Sequence, residues 1–156
     1  MISIFAPDEY APSTGEKEVN CTYVPTPKYM LQLKAMADCQ KSRLILNVGG
    51  SRFETCAETL QKDPSSILSY MVLPDSPMKP YNVDNIYTYF IDRDPRHFVH
   101  ILNYLRGNCD PDLSTFPGSI TALRELQKEC NFFNLAHLHC LLEKRISNIL
   151  VGQFHH

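Results

Sequence analysis

The sequence lacks the features of a membrane, secreted or nucleic-acid-binding protein. No stretch of eighteen consecutive apolar residues occurs among its 156 residues, so no segment is predicted to insert into a membrane. The first residues include Asp8 and Glu9 but no basic segment followed by an apolar one, which argues against a secretory leader. A net charge of −2 provides no general attraction to nucleic acid. The sequence therefore predicts a cytoplasmic protein with no membrane or nucleic-acid partner.

The motifs of catalysis and cofactor binding are also absent. Gly49 and Gly50 follow a predicted strand, but neither a GxGxxG pattern nor a Gly-Lys-Ser/Thr sequence accompanies them. Ser51 and Ser69 are not set in a Gly-x-Ser-x-Gly turn. We therefore expect neither an enzyme nor a bound cofactor.

The histidines do not form a metal-binding pattern. His97 and His100 would share one face of a helix, and His137, His139 and Cys140 lie close together later in the chain. Zinc sites need about four converging ligands, whereas neighbours such as His139 and Cys140 point apart on a helix. No metal site is predicted.

Cysteine is present but irregularly spaced. The six cysteines include no Cys-x-x-Cys pair and lie at positions 21, 39, 56, 109, 130 and 140. Several fall on predicted helices or strands, where a cysteine behaves as a small buried apolar residue. In a reducing cytoplasm we expect free thiols rather than disulfides.

What the sequence does contain begins with a predicted β-hairpin. Apolar residues alternate along its first strand at Leu44, Leu46 and Val48, so one face of the strand is apolar. Gly49 and Gly50 follow, and paired glycines supply the positive φ angles that a tight hairpin turn requires.

A second buried strand is predicted to lead directly into a helix. Asp94 stands at the expected N-cap, and Pro95 follows at the first helical position, where its missing N–H costs nothing. The apolar residues of this helix recur with helical spacing at Phe98, Ile101, Leu102 and Leu105. We expect that face to pack on the strands at Leu46, Val48 and Phe90.

The chain is predicted to divide into a tail, a domain and a short end segment. Residues 1–41 form the tail, which we expect to be largely disordered with a possible short helix over 28–41. Residues 42–146 form the domain and 147–156 the C-terminal segment. Residues 73–85 contain three prolines and are expected to form an irregular loop. Three strands with clustered helices predict an α+β fold, in which helices surround a small three-stranded sheet.

An ordered series of motifs resembles a known family. The motifs are Asn47-Val-Gly-Gly50, Pro64-Ser-Ser-Ile-Leu68, Phe90-Ile-Asp-Arg-Asp-Pro95 and Leu102-Asn-Tyr-Leu-Arg-Gly107. In this order they resemble the BTB/POZ domain of the potassium-channel tetramerisation type, with its mixed sheet. The last two motifs are more similar to the KCTD proteins of that type than to the channels. The resemblance runs over residues 44–142.

The resemblance implies a protein that assembles with copies of itself. Members of the family form rings of four or five subunits, so we expect a homo-tetramer or a homo-pentamer. The implied interface residues are polar and comprise Asn47, Arg52 and Thr55 around the hairpin, with Asp92, Arg93 and Asp94 on the strand-to-helix turn. Polar contacts of this kind fix the register of a head-to-tail interface. The alternative is that these residues only cap and cross-link their own chain.

The resemblance also implies recruitment of a second protein. For a KCTD-like adaptor the expected partner is a cullin-type scaffold of a ubiquitin ligase. Its expected contacts are the loop over residues 72–84, the loop over residues 111–117 and the C-terminal helices. In the first loop, binding is expected to depend on exposed apolar side chains such as Met78 and Tyr81. The alternative function is the cytoplasmic tetramerisation domain of a voltage-gated potassium channel, or a related assembly scaffold.

Overall fold

The computed structural model describes residue 24 and residues 26–153. The predicted disorder of the tail therefore lies almost entirely outside the described residues. The elements in chain order are α1 (Pro27–Lys41), β1 (Arg43–Val48), β2 (Ser51–Cys56), α2 (Ala57–Leu60), α3 (Ile67–Met71), β3 (Tyr81–Val83), β4 (Ile86–Ile91), α4 (Phe98–Arg106), α5 (Ile120–Phe133) and α6 (Ala136–Gln153). Single 3-10 turns at Pro95–His97 and Leu113–Thr115 precede α4 and α5.

The strands form one mixed sheet in the order β2-β1-β4-β3. Strand β1 pairs antiparallel with β2 and parallel with β4, and β3 pairs antiparallel with β4. The α+β class is confirmed, but the predicted count of three strands is wrong. The extra strand, β3, lies in the proline-rich segment expected to be a loop. Asp84 and Asn85 adopt the positive φ angles of a tight hairpin turn between β3 and β4. Glycine at these positions would have indicated the turn more clearly in the sequence.

The predicted hairpin of β1 and β2 is present with its turn at the paired glycines. Gly49 has φ 54° and Gly50 has φ 93°. The amide of Gly50 donates to Asn47 Oδ1 at 3.0 Å, which fixes the turn to the preceding strand. The side-chain oxygen of Asn47 therefore provides an acceptor for a backbone amide that has none in the hydrogen bonds between the two strands.

The core lies between one face of the sheet and the helices. The predicted face of α4 is buried, with Phe98, Ile101, Leu102 and Leu105 at most 1% exposed. The ring of Phe98 contacts Phe53 of β2 at 5.1 Å and Phe133 of α5 at 5.5 Å between centroids, and so links the sheet to the helices. Phe90 does not join this core, because half of its surface is exposed. Its neighbours Tyr89 and Ile91 are buried instead, since alternation along β4 turns Phe90 to the other face.

Helix α1 differs from the other long helices because it has no buried residue. Cys39 in α1 and Cys56 at the end of β2 are joined as a disulfide, so the expectation of free thiols is wrong for this pair. The pairing depends on α1 folding back against β2, which no local spacing of cysteines reveals. Cys109, Cys130 and Cys140 are free.

Among the described residues, no helix combines the length and the apolar character that crossing a membrane requires.

Candidate functional site

The two faces of the sheet are covered differently. The register places Asn47 opposite Arg52 on one side and Phe90 on the other, so these three side chains form a row pointing away from the core. A second row on the same face runs through Ile45 and Thr88. The outer sheet face, as we name it, comprises Ile45, Asn47, Arg52, Glu54, Tyr81, Val83, Thr88 and Phe90.

The outer sheet face contains a shallow groove, with buried residues at its base and exposed residues along its sides. Ile45 and Thr88 are buried but belong to no part of the main core. A groove of about 160 Å³ lies over them, between Arg52 on β2 and Tyr81 on β3. Phe90 is 50% exposed beside this polar rim. A large aromatic side chain among polar neighbours is the composition typical of a protein interface.

The structure brings the two predicted interface segments to the same edge. The amide of Gly49 in the hairpin turn donates to the carbonyl of Ile91 at 2.9 Å. A Cβ atom at Gly49 would lie 2.3 Å from the carbonyl oxygen of Arg93, so only glycine allows this approach. The hairpin turn and the turn that carries Asp92 and Asp94 are therefore adjacent in one chain.

Arg93 is held by its own chain. Its guanidinium donates from Nε to Glu129 Oε2 at 3.0 Å and from Nη2 to Glu129 Oε1 at 2.8 Å. It also lies 4.1 Å from the ring centre of Phe132. The hydrogen bond to Glu129 raises the pKa of Arg93, with desolvation acting in the opposite direction. The alternative to an interface role was that these residues cross-link their own chain. Arg93 does so through Glu129.

Glu129 is the intramolecular partner of Arg93, and sequence reasoning missed it. It is buried on α5, one turn from both Leu126 and Phe133, which belong to the core. A charged residue in the middle of a buried stripe needs a partner of opposite charge. This pattern in the sequence could have indicated that Glu129 has a charged partner, although it does not identify Arg93 as that partner.

Asp94 caps the start of the helical segment as predicted. Its side chain accepts from the amide of Arg96 at 3.0 Å and from Arg96 Nε at 2.8 Å. The side-chain hydrogen bond from Arg96, with the amide bond next, lowers the pKa of Asp94 to about 2. Asp92, two residues earlier, is exposed.

Thr55 lies away from the other predicted interface residues. It pairs with Leu44, whereas Arg52 pairs with Asn47, and the three-residue step from 52 to 55 reverses the face in a strand. Its hydroxyl oxygen is buried and, among the described residues, has no hydrogen-bond partner. Thr55 therefore lies near the hairpin but does not share the outer sheet face with Asn47 and Arg52.

Met78 and Tyr81 also lie on different surfaces. Tyr81 belongs to β3 and to the outer sheet face, where it is 46% exposed. Met78 is half-buried, contrary to the expectation of an exposed side chain, because it packs against the edge of the core. It lines a second groove of about 370 Å³, which we call the Met78 groove. Ile67 and Tyr70 on the wall of that groove are largely exposed.

Among the described residues, the histidines considered as possible metal ligands do not form a group of three or more ligands. His97 Nε2 lies 2.9 Å from Glu125 Oε2, and this hydrogen bond is the main cause that lowers the pKa of Glu125. The ring of His100 stacks beside that of His97, and burial lowers its pKa. Among residues 26–153, the ligand atoms close enough to share a metal ion are those of Cys39, Cys56 and Glu58.

Known proteins share this chain's sequence over the sheet and the helices. The family model of the BTB/POZ domain matches residues 44–143. The human BTB/POZ domain-containing protein KCTD5 is 36% identical over 104 residues, which are 65% of this chain and 41% of KCTD5. The FH protein interacting protein FIP2 of Arabidopsis thaliana is 37% identical over 98 residues, 62% of this chain and 30% of FIP2. The Drosophila melanogaster potassium voltage-gated channel protein Shal is 41% identical over 64 residues, 41% of this chain and 10% of Shal.

The chain spans about two fifths of the length of KCTD5 and smaller shares of the other two relatives. The matched region starts at the second residue of β1 and extends into α6, so it includes nearly the whole sheet and all of the outer sheet face. The family model covers well over half of the chain. The chain is an oligomerisation and protein-interaction module that belongs to the BTB/POZ domain family.

Proposed function

We propose that this chain assembles into a homo-tetrameric or homo-pentameric ring through the outer sheet face and the adjoining turn of residues 92–94. The observation that carries the proposal is the row formed by Asn47, Arg52 and a half-exposed Phe90. A phenylalanine in that position loses its contact with water only when another surface covers it. Burying a fully exposed phenylalanine contributes about 1.5–3 kcal/mol, so covering the exposed half of Phe90 contributes roughly half of that.

The polar members of the surface set the geometry of the contact. A closed ring requires a head-to-tail interface, in which two different patches of each copy meet. Arg52, which forms an ion pair with Glu54 of its own chain at 2.8 Å, provides an exposed positive charge on the hairpin, and the exposed Asp92 provides a negative charge on the turn after β4. We propose that Arg52 of one copy lies opposite Asp92 of the next, with Asn47 and Asp94 beside them. Arg93 supports the turn through Glu129 rather than contacting the neighbouring copy.

A charge exchange tests this pairing. Arg52→Glu and Asp92→Arg each place like charges across every interface, and each should raise the dissociation constant by at least about tenfold, or about 1.4 kcal/mol. The double variant carries both changes on every chain, so opposite charges face each other again and assembly should recover. Sedimentation equilibrium measures the dissociation constants.

Lys79→Glu is the matched control, because it reverses a surface charge away from the outer sheet face. It should leave assembly unchanged. Circular dichroism melting curves establish that each variant folds. Failure of the double variant to recover, when both single variants fold and dissociate, would refute the pairing of Arg52 with Asp92.

We further propose that the ring acts as a cytoplasmic adaptor that recruits a cullin-type ubiquitin ligase scaffold. The Met78 groove supports this proposal, because exposed Ile67 and Tyr70 flank a half-buried methionine there. Methionine adapts its shape to a partner, and interface energy concentrates in a few large side chains. Tyr81 lies on the opposite, outer sheet face and is assigned to assembly rather than to recruitment.

Two tyrosines of equal exposure provide the test. Tyr70 borders the Met78 groove, whereas Tyr87 lies outside it on a neighbouring groove that Met78 also lines, and each tyrosine is 59% exposed. Tyr70→Asp and Met78→Asp should abolish capture of a cullin N-terminal fragment, whereas Tyr87→Asp should preserve it. Calorimetry at tens of micromolar measures the binding. Absence of binding by the unmodified ring would remove the cullin proposal and leave the oligomer.

The channel relative supports a second candidate. Shal is 41% identical over 64 residues, which favours a tetramerisation domain of a voltage-gated potassium channel or a related assembly scaffold. A tetramer that binds no cullin fragment would favour this function. A pentamer that binds the fragment would favour the adaptor.

A further inference from the structure

Several contacts that connect α1 to the sheet and to α2 lie together at the C-terminal end of α1. Cys39 is bonded to Cys56, and the hydroxyl of Ser42 donates to the carboxylate of Glu58. The carbonyl of Ser42 also accepts from the amide of Ala57 at 3.3 Å. Because α1 buries none of its residues, these contacts stabilise its position without the support of a buried face.

The same point carries a set of metal-ligand atoms. The sulfur atoms of Cys39 and Cys56 and a carboxylate oxygen of Glu58 all lie within 4.8 Å of one another. The two Cα atoms of the cysteines are 5.2 Å apart. Once the disulfide is reduced and the two sulfur atoms separate, two thiolates and a carboxylate can take three corners of a tetrahedral zinc site, with water at the fourth. We propose that Cys39, Cys56 and Glu58 bind Zn²⁺ when the two cysteines are reduced.

The surroundings suit this ion. Thr59 Oγ1 lies 3.2 Å from Cys56 Sγ and can support the sulfur as an outer partner. A groove of about 410 Å³ adjoins the cysteines, and Arg43 and Arg106 line it. Cys56 is buried while Glu58 is exposed, so an ion reaches the site from the carboxylate side.

Zinc and the disulfide exclude each other because they use the same two sulfur atoms. Binding of Zn²⁺ to the reduced pair displaces one proton from each thiol, so two protons are released for each ion. Oxidation by hydrogen peroxide takes two electrons from the two thiolates, forms the sulfur–sulfur bond and, with two protons, yields two molecules of water. The Zn²⁺ ion then leaves with its charge unchanged. In both states a link between Cys39 and Cys56 holds α1 on the domain.

Titration of the fully reduced protein with Zn²⁺ tests the proposal. One ion should bind per chain, and calorimetry in buffers of different ionisation enthalpy should detect two released protons. Cys39→Ser and Cys56→Ser should each abolish stoichiometric binding. Glu58→Gln, on an exposed side chain, should weaken binding on the order of 10- to 100-fold. Cys140→Ser is the matched control, because Cys140 is exposed and free, and it should change nothing.

Cobalt provides a readout that needs no cysteine variant. Co²⁺ added to the reduced protein should give the thiolate-to-metal absorption of a tetrahedral site, and stoichiometric hydrogen peroxide should remove it. Absence of that absorption, or zinc binding by Cys39→Ser equal to that of the unmodified chain, would overturn the proposal. An intact disulfide in protein treated with excess reductant, with no zinc bound, would do so as well.

Discussion

The inner and outer faces of the sheet use the same strands for different purposes. On β4, Tyr89 and Ile91 are buried against the helices, while Phe90 between them is 50% exposed. The inner face is continuous with the core, whereas the outer sheet face combines a buried floor with polar and aromatic walls. A large apolar side chain therefore stabilises the single chain on one face and remains available to a neighbouring copy on the other.

The largest expected effect is on the inner face. Leu102→Ala removes a side chain that is 1% exposed, and it should lower the free energy of unfolding by about 2–5 kcal/mol. Val99→Ala on the same helix is the control, because Val99 is 42% exposed, and its cost should be about 0.5 kcal/mol or less. Denaturant unfolding measures both. Equal losses would mean that the assigned inner face of α4 is wrong.

The next effect separates the two faces. Phe90→Ala should change the unfolding of the isolated chain little, but it should weaken self-association by about 2 kcal/mol, or roughly 30-fold, as expected for an interface anchor. Tyr87→Ala, on an exposed tyrosine outside the outer sheet face, should leave association unchanged. Sedimentation equilibrium compares the two variants. If both variants associate like the unmodified chain, Phe90 is not an anchor of the interface.

A smaller effect concerns the turn that joins the two faces. Arg93→Ala, Glu129→Ala and the double variant form a double-mutant cycle for the bidentate ion pair. We expect a coupling energy of about 0.5–3 kcal/mol, because Glu129 is buried and the two residues share their hydrogen bonds. If the losses in free energy of unfolding from the two single variants simply add in the double variant, the ion pair does not stabilise the turn.

The smallest effect is the acid dependence of the cap. The folded chain holds the pKa of Asp94 at about 2, below its ordinary value of 3.8. The ionised cap therefore stabilises the fold fully above about pH 4 and loses this contribution as the pH falls towards 2. Asp94→Asn should be less stable than the unmodified chain at pH 7, and the difference should shrink between pH 4 and pH 2. A difference that is constant with pH would exclude the charge of Asp94 as its cause.

Local chemistry in the sequence predicted much of this architecture. The paired glycines, the Asp94 cap and the helical spacing of Phe98 to Leu105 each depend on neighbours along the chain, and each is present in the structure. Strand β3 was not predicted, because it is defined by its pairing with β4 across a turn. The proline-rich segment in which it lies indicates a loop instead. Local signals also assigned Phe90 to the wrong face, although its apolar character was plain.

The candidate sites were less predictable, because each depends on elements distant in sequence. Arg93 meets Glu129 thirty-six residues later, and Cys39 meets Cys56 only because α1 folds back on β2. No periodicity within one element encodes such a meeting. Thr55 shows the converse. Side chains alternate between the two faces of a strand, so the sequence alone could have placed Thr55 and Arg52 on opposite faces.

The mass of the protein in solution tests the central claim most directly. Light scattering coupled to size-exclusion chromatography, at micromolar concentrations, should give four or five times the 17.9 kDa mass of the chain. The same measurement on Arg52→Glu should shift the protein towards 17.9 kDa. A mass of 17.9 kDa for the unmodified chain at every concentration would contradict assembly through the outer sheet face.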